Sequence, residues 1–337
     1  MKKIITFGEV LLRLSPPNHL RFPQATSYDL HYAGAEFNTA ISLSLLGMDV
    51  SFVTRLPEND LSNCVVQQLS RFNIKTDKIV FGGKRLGLYY LESGAVLRGS
   101  KVIYDREHSS IAEIEPGMIN WEEVFKDAGW FHVTGITPAI SQAAADEMLS
   151  AVKAASKQGL EISIDLNYRS KLWKYGKQPS AIMTELLNYC TVVMGDPGTV
   201  KKYFDINTDL PDGEERYQFV LNEMNRKFPN VRNFIFSYRG LNNASNNSFG
   251  AYLYDGNFLY QSTEYNMSGM IDRLGGGDAL MAGVIYGLCN YSDKQEALNF
   301  AVAASVLKSS IHGDTNFVSV NEVLDIMNGN ISGRISR

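Results

Sequence analysis

The chain has 337 residues, 45% hydrophobic and 20% charged, with 32 basic against 36 acidic residues and a net charge of −4. That length supplies core for one large α/β domain or two ordinary ones, and the charge balance gives no footing for nucleic acid or an anionic membrane surface as a partner. Three scattered cysteines, Cys64, Cys190 and Cys289, lack metal-ligand spacing and read as reduced thiols, and with no signal-like N-terminus or bilayer-length apolar run a soluble, cytoplasmic protein is expected.

In chain order, Lys3 to Phe7 reads as a buried strand ending at Gly8, and Val10 to Leu14 continues the apolar character until Pro16-Pro17 breaks it. His31 to Asn38 reads as a glycine-containing turn that opens onto a helix from Thr39 to Leu46, stopped by Gly47. Asp49 to Thr54 is a strand, Asn59-Asp60 caps a helix to Phe72, and Ile79 to Phe81 closes a second unit of the same kind. Arg85 to Arg106 breaks this rhythm. Leu86 to Leu91 and Lys101 to Tyr104 are aromatic-rich and strand-like, with Gly94 and Gly99-Ser100 between them, and predict an inserted hairpin suited to a lid or a dimer contact.

The alternation then resumes, with strands at Trp130 to Thr134, Leu160 to Asp165, Thr191 to Met194 and Asn233 to Ser237, and a helix capped by Ser141 that runs to about Lys157. Asp255-Gly256-Asn257 marks a hairpin turn between Phe249 to Tyr254 and Phe258 to Ser262. Three helices close the chain, at Ala279 to Cys289, Lys294 to Ser309 and Val320 to Met327. With no internal repeat or low-complexity linker, residues 1–337 are expected to form a single domain carrying its lid.

The stretch that concentrates chemistry is Asp272-Arg273-Leu274-Gly275-Gly276-Gly277-Asp278, feeding the small apolar helix that begins at Ala279. Glycines before a helix leave N–H groups free at the positive end of the dipole, which makes an anion site. Asp278 at such a site is either a helix cap or a proton acceptor for a substrate hydroxyl. Gly34, Gly135, Asp165, Asp196, Ser237 and the triple glycine all follow predicted strands, the position of functional loops in open α/β sheets, so one shared crevice is expected. No G-x-G-x-x-G follows the first strand, which argues against a dinucleotide-binding dehydrogenase. The isolated His132 and His312 read as structural hydrogen-bonders.

Two separated stretches resemble the signatures of the PfkB (ribokinase-like) carbohydrate kinases. The first is His31 to Ala40 with Leu46-Gly47 and Phe52 to Asp60; the second is Asp272 to Ala279. Within that family Ile103-Tyr104-Asp105-Arg106, Asp165 to Arg169 with Leu172-Trp173, and Ile311 to Asn316 are similar to the 2-keto-3-deoxygluconate kinases. The resemblance implies a three-layer α/β/α fold with a mostly parallel central sheet and a small β-sheet lid, whose strands would lie within residues 10–32 and 85–107. It also implies ATP and Mg2+ as cofactors, a monovalent cation as a further candidate, and a homodimer or higher oligomer through the lid.

By the same resemblance, Asp278 is the catalytic base and Gly275, Gly276 and Gly277 form the anion hole. Gly34, Asn38, Tyr89, Tyr104, Arg106, Arg169 and Asp314 bind substrate, the two arginines being suited to a carboxylate. Asn167, Ser237, Arg239 and Gly240 join Gly275 and Gly277 in binding nucleotide. Two departures stand out. Arg13 stands near where neutral-sugar members carry an Asp, which favours an acidic substrate. Asp196-Pro197-Gly198-Thr199 replaces the usual Asn-x-x-Glu metal motif and leaves Asp196 to act through water. A kinase for a neutral sugar or nucleoside, and a sensor that binds without turnover, are the alternatives.

Overall fold

A computed structural model describes residues 2–95, 97–241 and 246–330. Short, almost wholly apolar runs pair side by side in parallel, because strands covered on both faces have no solvent side to serve. The order across the main sheet is Leu259–Gln261, Asn246–Tyr254, Asn233–Leu241, Val192–Gly195, Glu161–Asp165, Ala128–Thr134, Lys3–Phe7 and Val50–Val53. From Asn233–Leu241 to Val50–Val53 every pairing is parallel, whereas Asn246–Tyr254 pairs antiparallel with Asn233–Leu241, Leu259–Gln261 and Tyr265–Ser268. Successive side chains serve opposite layers: Ile5 and Phe7 pack with Trp121, Phe125 and Phe131, while Ile4 packs with Phe37, Phe52 and Ile285. Gln142–Lys157, Pro179–Leu187 and Glu214–Lys227 contribute to the first layer, and Ala35–Leu45, Gly276–Asn290 and Lys294–Lys308 to the second.

A second sheet has the order Asp29–Ala33, Leu11–Ser15, Gly87–Glu92 and Lys101–Asp105. The hairpin expected from residues 85–106 is present, and its first strand lies parallel to Leu11–Ser15, with Leu11 opposite Gly87 and Leu14 opposite Tyr90. Arg13, His31, Tyr89 and Tyr104 share one face of this sheet; Leu14, Leu30, Tyr90 and Ile103 share the other.

Several elements differ from the sequence reading. His31 to Ala33 belongs to a lid strand, not to a turn, and the following helix begins at Ala35, four residues ahead of the expected Thr39. Glu36 and Asn38 hide that start: polar residues in a first turn suggest solvent, yet both are buried. Gly195-Asp196-Pro197-Gly198 is a strand end passing into the helix Pro197–Phe204, with Asp196 as N-cap and Pro197 at the first helical position. Pro179–Leu187 and Glu214–Lys227 are helices with no counterpart in the sequence reading; the latter buries Val220, Leu221 and Met224 behind a polar exterior. Cys64, Cys190 and Cys289 are free thiols. No helix among the described residues is long and apolar enough to cross a membrane.

Candidate active site

The parallel strands deliver their carboxyl ends to one side of the main sheet, where the lid hangs over them. Between the two lies a cavity of about 700 Å³. Asp278, Gly275, Gly276 and Gly277 line it, as do Gly34, Asn38, Tyr89, Tyr104, Arg106, Arg169 and Asp314. Asn167, Ser237, Arg239 and Asp196 also reach it. Gly240 does not: it sits further along Asn233–Leu241, where an added Cβ would strike Ser248 of the neighbouring strand.

The glycine loop is built for close approach. Gly275 caps the helix Gly276–Asn290 in a left-handed conformation (φ 74°), and a Cβ there would lie 1.8 Å from the Asp314 carbonyl oxygen. Any side chain is therefore excluded on both counts. The first intrahelical bond runs from the Ala279 N–H to the Gly275 carbonyl at 2.9 Å, so the N–H groups of Gly276, Gly277 and Asp278 precede the helical ladder. Asp272 shapes the approach, its carboxylate accepting from the Leu274 N–H at 3.0 Å and the Gly313 N–H at 3.1 Å.

Asp278 therefore lies inside the first turn and is not the cap. Its carboxylate accepts from Asn38 Nδ2 at 2.7 Å. Burial pushes Asp278 up to about 8; Asn38 opposes this, while Asp165, Asp314 and Glu36 add to it. Asn38 keeps a buried Oδ1 with no partner among the described residues.

Two further carboxylates of the cavity received no role from the sequence. Glu36 accepts from the Thr134 N–H at 3.0 Å and the Thr134 hydroxyl at 2.7 Å, and burial raises it to about 7. Asp165 accepts from the Asn167 N–H at 3.1 Å, with Asn167 at a positive φ of 35° that asparagine tolerates. Burial raises Asp165 to about 7, against the pull of Arg169. A charged residue inside a helix or at a strand end carries no mark of burial in sequence alone.

The arginines divide. Arg106 is 5% exposed and its guanidinium is met by the Glu9 carboxylate, which also accepts from the Ser109 hydroxyl. Arg13, expected to signal an acidic substrate, is buried and pairs with Asp314 at 2.7 Å, while Tyr89 donates to the other Asp314 oxygen at 3.0 Å. Asp314 and the Tyr89 hydroxyl are thus committed to tying the lid to the glycine loop. Arg169 instead makes only a 3.5 Å contact with the Tyr168 carbonyl and has no ion pair among the described residues. Arg239 and Arg273 converge beside the glycines; burial first, and Arg273 second, pull Arg239 below the usual arginine range.

Asp196 caps its helix, accepting from the Thr199 N–H at 3.0 Å and the Thr199 hydroxyl at 2.6 Å. Among the described residues no group of three His, Cys, Asp or Glu side chains is placed to cage a metal. A hydrated Mg2+ held mainly by phosphate oxygens needs only one or two carboxylates, and Asp165 and Asp196 both line the cavity. His132 is fully buried, bonds Ser163 Oγ at 3.0 Å and is pushed by burial down to about 3, a structural role as expected.

A family model for the pfkB family carbohydrate kinases matches residues 1–196. The chain belongs to that family. Among solved structures, this pfkB kinase is similar to the 2-dehydro-3-deoxygluconokinase of Thermotoga maritima, with 36% identity and a TM-score of 0.93 over 98% of this chain and 100% of that one. It is 27% identical over 331 residues to the 2-dehydro-3-deoxygalactonokinase of Haloferax volcanii, covering 98% of each chain. An E. coli chain solved in complex with ATP and Mg2+ shares the fold at 17% identity and a TM-score of 0.82, covering 98% of this chain and 100% of that one.

Proposed function

We propose that this kinase transfers the γ-phosphoryl group of ATP to the terminal primary hydroxyl of a 2-keto-3-deoxy sugar acid, 2-keto-3-deoxygluconate first among them. The observation that carries the reading is Asp278: a buried carboxylate raised to about 8, oriented by Asn38, in the first turn of a helix that opens on three glycines. A base with that proton affinity can take the hydroxyl proton and still hold it near neutral pH. As the substrate oxygen forms its bond to the γ-phosphorus, the bond to the departing ADP oxygen breaks, and the proton stays on Asp278. Charge on the transferring group is met by the backbone N–H groups of the glycine loop, and such preorganised donors contribute most of what phosphoryl transfer requires.

Two like-charged guanidiniums, Arg239 and Arg273, repel one another unless an anion lies between them, and the triphosphate is that anion. Asp165 and Asp196 would hold Mg2+ through water; when bound, the ion neutralises the β- and γ-phosphate oxygens. Asn167 and Ser237 complete the nucleotide side. On the other side, Arg169, without an ion pair among the described residues, is available to a substrate carboxylate, Asn38 holds the Asp278 carboxylate, and Gly34 and Tyr104 shape the wall. The relatives named for the gluconate and galactonate epimers support an acid with a free terminal hydroxyl.

ADP release measured with 2-keto-3-deoxygluconate, 2-keto-3-deoxygalactonate, fructose and ribose tests the substrate class. The keto-deoxy acids are expected to give the highest kcat/KM; a neutral sugar ahead of both would refute the reading. Arg169→Ala removes one charge-assisted contact of about 1.5–3 kcal/mol and is expected to raise KM for the acid roughly ten- to hundredfold. An unchanged KM would remove Arg169 from substrate binding.

The protein is further expected to work in the cytoplasm, as one domain, and as a dimer through the lid. The outer lid face supports the dimer, since Leu30 and Ile103 are 48% and 54% exposed and aligned with Leu14 and Tyr90 across all four strands. Sedimentation of Leu30→Lys with Ile103→Lys is expected to give a monomer from a dimeric parent. A monomeric parent would contradict this.

A further inference from the structure

Lys308 is 0% exposed, a state lysine reaches only when its ammonium is paired. It is the last residue of the helix Lys294–Lys308, and its Nζ donates to the Ile311 carbonyl at 2.8 Å and reaches the Asp272 carbonyl at 3.5 Å. Those oxygens belong to the two stretches that build the anion hole: Asp272 begins the glycine loop, and Ile311 leads into Gly313-Asp314, against which Gly275 is packed. The same helix end grips the loop twice more. Ser305 Oγ donates to the Gly276 carbonyl at 2.8 Å, and the Ser309 carbonyl accepts from the Ile271 N–H at 2.9 Å.

The surroundings are ionic as well as polar. Asp272 and Asp314 act to favour the Lys308 ammonium, while burial, the largest cause, and Arg13 pull its proton affinity below the usual lysine range. Lys308 is absent from the cavity lining, so it does not touch phosphate or sugar and can act only through the loop. Main-chain carbonyls that converge in a buried, anionic setting are what a dehydrated monovalent cation needs in place of its water shell.

We propose that Lys308 is a positioning residue for phosphoryl transfer, a built-in cation that holds residues 271–278 with their N–H groups aimed at the phosphate and stands where a dissolved monovalent cation would otherwise be required. The catalytic part rests on the kinase reading above. It follows that turnover is independent of K+, and that truncating Lys308 creates a demand for a small cation.

Wild type, Lys308→Met and Lys308→Ala are compared in K+, NH4+ and tetramethylammonium salts at equal ionic strength, by steady-state kinetics and by the thermal midpoint of the unliganded protein. The wild type is expected to keep the same kcat and midpoint in all three salts. Lys308→Met is expected to lose kcat at least about tenfold, as small misplacements of a preorganised site do, with little change in sugar KM. Lys308→Ala is expected to regain kcat, and to rise in midpoint, in K+ or NH4+ but not in tetramethylammonium. A wild type that itself needs K+ would overturn the proposal without any variant, which keeps it testable should both variants be insoluble. Folded variants with wild-type kcat, or a Lys308→Ala protein indifferent to K+ and NH4+, would overturn it too. Failure of the kinase reading looks different: wild type then turns over no sugar acid, while the midpoints still report what Lys308 does to the loop.

Discussion

Asp278→Asn is expected to lower kcat at least about a hundredfold, the usual loss when a positioned general base is removed. The fold should survive, because the amide oxygen of the introduced asparagine can still accept from Asn38 Nδ2. The same substitution is expected to raise stability, and by more at higher pH. In the folded protein burial holds the Asp278 carboxyl up to about 8, against about 3.9 in an unfolded chain. Between those values the folded state binds the extra proton, so stability is greatest below the unfolded value and falls as pH rises towards about 8. Glu36 and Asp165, each raised to about 7, push in the same direction. An asparagine side chain carries no such liability. Thermal midpoints at acid and mildly alkaline pH should therefore show a gap between variant and wild type that widens with pH, while wild-type kcat/KM for the sugar climbs towards about pH 8 as the base ionises. Near-normal turnover in the variant, or a gap that narrows with pH, would contradict this assignment.

The second large effect separates the three glycines. Gly275→Ala combines a left-handed φ of 74° with a methyl group 1.8 Å from the Asp314 carbonyl oxygen. Since backbone and not a flexible side chain stands in the way, overpacking of about 1–3 kcal/mol adds to the conformational strain. The loop must shift, and loss of an aligned donor costs a further hundred- to thousandfold, roughly, in kcat. Gly277→Ala is the contrasting case. Its methyl group would meet nothing closer than Asp165 Oδ2 at 3.9 Å and would stand at the cavity wall. It should leave the thermal midpoint near wild type and still lose turnover, because ligand and backbone can no longer close up. Equal midpoints for the two variants would remove the steric argument for Gly275.

The glycine loop and the helix it opens were readable from Asp272 to Asp278 because glycine's conformational freedom and helix polarity are local properties that survive in one dimension. The strands were readable for a similar reason: runs such as those of Lys3–Phe7 and Val192–Gly195 are apolar on both faces. Partner choice was not. Arg106 and Arg169 look alike in sequence, yet Arg106 is neutralised by Glu9, from 97 residues away, and Arg169 is not. Arg13 suggested an acidic substrate by standing near where neutral-sugar members carry an Asp; its pairing with Asp314, at the far end of the chain, was not visible. Glu36 and Lys308 escaped notice because a polar letter predicts solvent, and only tertiary burial turns it into a titrating or positioning group; Asp165 was placed at the crevice by its strand end, but its burial was not legible. Asp196 was legible as a residue of the cavity but not as the N-cap that it also is.

The most direct test is the product itself. Wild-type protein incubated with ATP, Mg2+ and 2-keto-3-deoxygluconate is expected to yield a phosphate ester whose phosphorus couples to the terminal methylene protons in a phosphorus–proton correlation spectrum. Binding of both ligands without ester formation, or an ester at any other hydroxyl, would contradict the account.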